Sequence, residues 1–313
     1  MKFIAKTINN DIATVYIAED SRGRLLEFVE SVEPPFPREL KWVIIVSTLY
    51  GCPVQCRFCD SGGQYSGKIS ADEMLAQIDH VVAARYTDRR VPSAKFKIQF
   101  ARMGEPAMNP AVLKVLRRLS YIYDAPGLMP SISTIAPRGC DIFFSELIDI
   151  KNELYGKNFQ MQFSLHSTDD HQRDWLMPVP KWSFEHIAEY GVEFHRAGER
   201  KITLNFAVSG DTIIDTSKLL DHFSPDIFII KITPVNPTFT SKINNIAASC
   251  DLSAAAAYIN KLEAAGYDVI PSIGEPEENL IGSNCGQHVM NYLRGDAKLS
   301  DSYTYSLIKA TDQ

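Results

Sequence analysis

The stretch WVIIVSTLYGCPVQCRFC, residues 42–59, decides how this chain is read. Its first half holds an apolar run, Val43–Ser47, that suits a buried strand. Its second half sets three cysteines, Cys52, Cys56 and Cys59, in the spacing C-x3-C-x2-C. At this cysteine content the spacing arises by chance roughly twice in a thousand sequences. Thiolates bind soft metals and iron–sulfur clusters. Zinc sites usually pair two C-x2-C elements. Here only Cys56 and Cys59 have that spacing, with no second pair to match. Three structural thiols this close in one loop would be unusual.

An electron-transfer cluster takes four thiolates. Three leave one iron open to chelate an amino and a carboxylate group, which S-adenosylmethionine offers. Reduction can then cleave a carbon–sulfur bond and produce a carbon radical. The triplet therefore predicts a [4Fe-4S] cluster held by Cys52, Cys56 and Cys59, with S-adenosylmethionine beside it. Phe58, just before the third cysteine, suits either the adenine side of that cofactor or plain core packing.

Outward from the triplet, apolar strand-like runs alternate with helical patterns. The strands are expected at Val43–Ser47, Lys97–Ala101, Pro130–Thr134, Gln160–Leu165, Ile202–Val208 and Ile227–Ile232. Helices are expected at Ala71–Arg85, Pro110–Ile122, Asp141–Lys157, Ser183–Ala197 and Thr216–Phe223, with a closing helix Leu252–Ala264 and strand Asp268–Pro271. Several strands read as near-continuous apolar runs, as when both sheet faces are covered. Alternating βα units imply a parallel sheet with right-handed crossovers. The expected fold class is α/β, a partial (β/α)6 TIM-like barrel, closing fully only if eight units form. Residues 1–38 carry two short strand patterns and the breakers Pro34, Pro35 and Pro37. They read as a small β-rich appendage or a sheet edge, with the barrel and a C-terminal cap over 39–313.

Chemistry on such a fold sits at the C-terminal ends of the strands. Cys52, Gly104–Glu105–Pro106, Ser133, Ser164, His166 and Asn236 all fall at expected strand ends.

The chain has 313 residues, 45% hydrophobic and 22% charged, with a net charge of −6 and a pI near 5.7. It shows no basic run longer than two residues, which disfavours nucleic acid as a partner. No apolar run approaches a membrane span, and no signal peptide is legible. Six cysteines, three of them clustered, do not form a disulfide framework. A cytoplasmic protein is expected.

These motifs resemble the radical S-adenosylmethionine superfamily, and more narrowly the ribosomal RNA adenine methyltransferases RlmN and Cfr. The matching segments run in order: Thr14–Ile17, Gly51–Cys59, Met103–Pro106, Ser133–Thr134, Ser164–His166, Arg173 to Pro178, Pro234–Pro237 and Cys285–Gln287. The resemblance implies that Gly104 and Glu105 meet the cofactor's amino group, where a carboxylate can pair with ammonium. It implies that Ser133, Ser164, Leu165, His166 and Asn236 line the rest of the cofactor site. It also implies that Cys285 is a methyl carrier, as a thiolate can accept a methyl group from a sulfonium. For Cys285 an ordinary free thiol stays open, as do a loop carboxylate for Glu105 and a hydrogen-bonded structural histidine for His166. Cys140 and Cys250 read as structural.

The chain departs from that family at three places. Ile45 stands where the family has a resolving cysteine, seven residues before the first cluster cysteine. Ala13 stands where it has a glutamate that takes the substrate proton. A longer N-terminal RNA-recognition domain and a basic tail are expected in the family; here the strand segment begins near residue 12 and the tail 295–313 is not basic. The expected function is a radical methyl-transferring enzyme acting on a small, non-ribosomal molecule, reduced by a flavodoxin- or ferredoxin-type donor. A hydrogen-abstracting enzyme making the 5′-deoxyadenosyl radical, a retained RNA methyltransferase and a non-catalytic cluster protein are the alternatives.

Overall fold

The computed structural model describes all residues except 33–35, 247–251, 273, 275, 285–287, 294–301 and 311–313. The chain begins with an antiparallel meander, β1 (Lys2–Asn9), β2 (Ala13–Glu19) and β3 (Leu25–Ser31). Strand β4 (Trp42–Val46) pairs antiparallel with β3, so residues 1–31 extend the sheet that follows. A hairpin, β5 (Leu49–Cys52) and β6 (Gly63–Lys68), stands apart as its own two-stranded sheet. Helix α1 (Ala71–Ala83) follows, opened by a Ser70–Glu73 capping box that satisfies backbone donors at its first turn.

The next strands are β7 (Phe96–Phe100), β8 (Leu128–Thr134), β9 (Gln160–Ser164), β10 (Ile202–Val208), β11 (Phe228–Pro234) and β12 (Val269–Pro271). Between β7 and β9 lie α2 (Ala111–Ile122) and α3 (Asp141–Ile150). Between β9 and β11 lie α4 (Asp170–Leu176), α5 (Phe184–Phe194) and α6 (Thr216–His222). After β11 come α7 (Phe239–Ile243) and α8 (Leu252–Ala264), and after β12 come α9 (Pro276–Ile281) and α10 (His288–Leu293). A short β13 (Ile308–Lys309) returns to pair with β1.

From β4 through β7 to β12 every pairing is parallel and follows chain order. Among the described residues the sheet is open, with β12 and β13 at its edges, and no closed barrel forms. The expected strands all form, within two residues of their expected starts. The helix expected over Asp141–Lys157 stops at Ile150 and continues as a wider turn, Lys151–Tyr155. That turn carries Lys151 into the interior, where Nζ meets the Phe194 carbonyl at 2.7 Å and Glu199 at 2.6 Å.

The expectation of apolar strands on both faces is corrected. Phe96, Ile98 and Phe100, then Met161 and Phe163, then Ile202, Leu204 and Phe206, all join the main core. The alternate residues Lys97, Gln99, Gln162, Thr203 and Asn205 point the other way, since strand side chains alternate. One face is thus packed by helices and the other is polar. The N-terminal meander is also sandwiched: α1 meets it through His80, stacked on Phe3 at 3.6 Å, while α9 and α10 pack on β1–β3.

Candidate active site

Cys52 ends β5, and Cys56 and Cys59 sit in the loop that joins β5 to β6, shortly past the end of β4. Gly51 permits the turn into it: φ is +74° and a Cβ there would lie 2.7 Å from the Gln64 carbonyl. The Cys59 amide donates to the Cys56 carbonyl at 3.1 Å, closing the loop on itself. Three other elements fasten it. Arg57 donates its amide to the Leu176 carbonyl at the end of α4. Thr238 Oγ1 donates to the Phe58 carbonyl at 2.8 Å, and Asn244 donates to that of Arg57 at 2.9 Å. Asp60, buried, accepts from the amides of Phe239 and Thr240, the Thr240 hydroxyl and the Tyr303 hydroxyl.

The cysteines pack in an apolar cluster with Val54, Phe58, Ile135, Met177, Val235 and Ile246. Burial, and then Cys59, pushes the Cys52 thiol up to about 12; the same causes push Cys56 well above its usual range. Such thiols lose their protons only to a metal that takes the sulfur. Among the described residues no three His, Cys, Asp or Glu side chains gather closely enough to hold one metal ion. A cubane cluster asks for something else. Each thiolate takes its own iron, so the sulfurs must ring the site without converging on a point. Three thiols in an apolar loop, close enough to repel one another as thiolates, fit that donor set.

Across from this loop, Arg102, Met103, Gly104 and Glu105 form the turn that follows β7. Gly104 has φ +95°, and a Cβ there would run into Leu49, so the backbone is bare at this turn. Glu105 is buried, which removes its reading as a solvent-exposed carboxylate. Its carboxylate accepts from the Ala107 amide at 3.0 Å, the Ile135 amide at 3.0 Å and the Thr134 hydroxyl. Burial outweighs these donors and raises its pKa to about 7. A carboxylate has roughly four lone-pair directions, so one remains for a ligand cation.

Ser133 is half-buried, with the Gln99 amide 3.5 Å from its hydroxyl. Ser164 lies opposite Asn205, which lies opposite Lys231, all on the polar face. The Ser164 hydroxyl and the Asn236 side chain are half-buried and make no hydrogen bond to any described residue. They are polar groups left open to a ligand. Leu165 differs: its side chain is in the main core, and only its backbone, bonded to the Asn205 carbonyl at 2.9 Å, borders the site.

His166 adopts φ +62°, a left-handed conformation uncommon outside glycine. Its Nδ1 accepts from the Ala207 amide at 3.0 Å, which puts the ring proton on Nε2. Burial, then Arg173, lowers its pKa to about 3, so the ring is neutral. Phe58 packs edge-on to it with centroids 4.9 Å apart. Thus a bonded structural histidine and a packed aromatic join the cluster loop to the end of β9. Cys140 precedes α3, with its thiol raised by burial. Cys285 and Cys250 lie outside the described residues.

The residues at which the chain departs from the resembled family belong to one apolar cluster across β2, β3 and β4. Ala13, Val15 and Val29 form a small apolar cluster against which Ile45 packs. At the opposite end of β2 from Ala13, a cavity of about 710 Å³ is lined by Glu19, Leu25, Tyr50, Gly51, Ser61 and Met103, among others.

Sequence reasoning missed several residues here. Asn205, Lys231 and Thr233 were signalled by the polar alternation of their strands. Asp60 and the 238–244 clamp carried no local signal, and neither did Arg102 and Glu27, an ion pair 2.6 Å apart.

No protein-family model matches the chain. A probable dual-specificity RNA methyltransferase RlmN from Chlorobium phaeobacteroides is 29% identical over 66% of this chain and 56% of its own length. One from Desulfitobacterium hafniense strain DCB-2 is 28% identical over 78% of this chain and 66% of its own length. In another strain, Y51, the namesake is 26% identical over 92% of this chain and 78% of its own. The chain therefore spans 56% to 66% of the first two relatives. Among solved structures, a radical SAM methyltransferase from Sphaerobacter thermophilus shares the fold, with TM-score 0.67, 18% identity and coverage of 87% and 76% of the two chains. Streptococcus suis SuiB bound to S-adenosylmethionine shares it with TM-score 0.52 and 13% identity, over 76% of this chain and 51% of SuiB. The chain resembles the RlmN-type radical S-adenosylmethionine methyltransferases, and that resemblance carries a [4Fe-4S] cluster and S-adenosylmethionine as cofactors.

Proposed function

We propose that this relative of the radical S-adenosylmethionine methyltransferases is itself a methyl-transferring enzyme, with Cys285 as methyl carrier and a small, non-ribosomal molecule as substrate. The observation that carries the reading is the shared rim: the cysteine loop, the Gly104–Glu105 turn and the ends of β8, β9 and β11 meet at one end of one sheet. Cys52, Cys56 and Cys59 would hold the cluster, with one iron open. Phe58, Gly104, Glu105, Ser133, Ser164, Leu165, His166 and Asn236 would form the bed of S-adenosylmethionine. When bound, these groups supply an activated methyl group and a carbon-centred radical.

The chain's own residues do the rest. Glu105 presents its remaining lone pair to an ammonium group from a water-poor turn. The bare backbone at Gly104 lets a ligand come close. Neutral His166 holds Phe58 in place without adding charge beside a cationic sulfonium. Cys285 would lose its thiol proton to solvent and take the sulfonium's methyl group on sulfur, breaking the methyl–sulfonium bond and leaving S-adenosylhomocysteine.

The substrate reading rests on Ala13 and Ile45. A carboxylate and a thiol at those positions take a proton and resolve a covalent adduct in the resembled family. Here both are apolar: Ala13 belongs to a small buried cluster with Val15 and Val29, and Ile45 packs on that cluster. A different base and a different release must finish the reaction, which favours another substrate. The 710 Å³ cavity beside the rim falls within the range of small-molecule sites. A net charge of −6 also disfavours a polyanion. The in-order parallel sheet supports a partial barrel over residues 39–313 with a β unit at 1–38. We take the enzyme to work in a reducing cytoplasm, with a flavodoxin- or ferredoxin-type donor.

The test is anaerobic reconstitution with iron and sulfide, addition of S-adenosylmethionine and mass analysis of the peptide containing Cys285. The expected result is that peptide heavier by one methylene. An unmodified peptide in protein that holds both cluster and cofactor would overturn the carrier role. Tight, salt-dependent RNA binding would overturn the small-molecule substrate.

A further inference from the structure

We propose that the buried Glu27–Arg102 ion pair is a positioning device that fixes residues 282–284 and Val289, on either side of Cys285 in the sequence, to the cofactor turn. The inference rests on the carrier reading given above. Arg102 and Glu27 are both buried, and Nη2 of Arg102 lies 2.6 Å from Oε1 of Glu27. The guanidinium then grips three consecutive carbonyls. Nη2 donates to Gly282 at 2.6 Å, and Nη1 donates to Ser283 at 2.8 Å and to Asn284. Oε2 of Glu27 accepts the amide of Val289 at 2.8 Å. One ion pair therefore fastens the chain on both sides of residues 285–287.

The other end of the device is fixed to the site. The Arg102 amide donates to the Val46 carbonyl at 3.0 Å, and its carbonyl accepts from the Ser61 hydroxyl at 3.3 Å. Arg102 thus lies between the end of β4 and the exit of the cysteine loop. Two chain steps separate it from Gly104, and one separates Asn284 from Cys285. Ser47 completes the frame: its hydroxyl donates to the Glu27 carbonyl and accepts from the Met103 amide at 3.1 Å.

Stability alone does not account for such a pair. Apolar residues of similar size fill a buried site as well or better, because two charges need not be desolvated. A guanidinium does what they cannot: it offers several donors in one plane to carbonyls that would otherwise lack partners. The Arg102 fork sets the last three residues before Cys285 in one arrangement relative to the cofactor turn. Methyl transfer needs that alignment, since small misplacements of reacting atoms cost large rate factors.

The experiment compares the unaltered chain with Arg102→Met and with the double variant Glu27→Leu, Arg102→Met. The double variant leaves no unpaired buried charge, so it keeps the test open should the single variant fail to fold. In cluster-free protein, hydrogen exchange of residues 276–293 is expected to speed up about tenfold in the variants, while residues 128–164 keep their protection. In reconstituted protein, methyl occupancy of Cys285 per cluster is expected to fall about tenfold. Exchange of 276–293 unchanged in the double variant overturns the proposal, and so does full methyl occupancy despite faster exchange. If the unaltered chain carries no methyl group, the carrier reading fails by itself, and the exchange measurement still decides whether the pair fastens the segment.

Discussion

His166 shows how one residue can be fastened by the fold and still serve a site. Its ring is buried, bonded at Nδ1 and held neutral, with a pKa lowered to about 3 by burial and then by Arg173. Unfolded, it titrates near 6.5. Below that pH the unfolded chain takes a proton that the folded chain refuses. Its contribution is therefore whole above about pH 6.5 and is lost as pH falls toward 3. His166→Asn, which tolerates the left-handed backbone, removes this titration. Between pH 6.5 and 4.5 the unaltered chain is expected to lose on the order of 2 kcal/mol more stability than the variant. Urea unfolding of both proteins at the two pH values checks this; equal losses would contradict it. The sequence placed His166 at a strand end but could not tell a ligand-facing ring from a bonded one. That distinction depends on Ala207, 41 positions away.

The cysteine loop is the element on which the account turns, and it is held from outside more than from within. Asp60 accepts four hydrogen bonds from α7 and Tyr303 while buried. Asp60→Ala leaves these donors without a partner, and a loss of about 2–4 kcal/mol is expected. Reconstituted protein should also release iron faster to a chelator. Denaturant unfolding together with iron release measures both; stability and release like the unaltered chain would contradict the clamp. The spacing of the triplet is legible in the sequence, because its residues are local and cysteine is rare. The hairpin around it was not: β6, Gly63–Lys68, has glycines and polar residues where a strand signal would need apolar alternation. The short helices α4 and α7 escaped for a related reason, since they offer too few turns for a period to emerge.

Across the whole molecule, the parallel sheet was legible because each strand and helix carries its own pattern. The polar face was misjudged: runs such as ITLNFAV look apolar throughout until pairing sets Thr203, Asn205 and Ala207 on one side. The long-range ties were invisible from local pattern. Glu27, Arg102 and residues 282–289 come from three distant parts of the chain, and only folding shows that the C-terminal helices lie on the N-terminal strands. The grouping of Ala13 and Ile45 around Val15 and Val29 is of the same kind. Their positions came from the family resemblance, and their place in one cluster came from the sheet. What unites these features is the claim that three thiolates hold a cluster whose fourth iron is open to S-adenosylmethionine. Electron paramagnetic resonance of the anaerobically reconstituted, dithionite-reduced protein tests it most directly. The account predicts a reduced [4Fe-4S] signal that changes shape when S-adenosylmethionine is added and disappears in Cys56→Ala. A cluster signal indifferent to S-adenosylmethionine, or one that persists unchanged in Cys56→Ala, would contradict it.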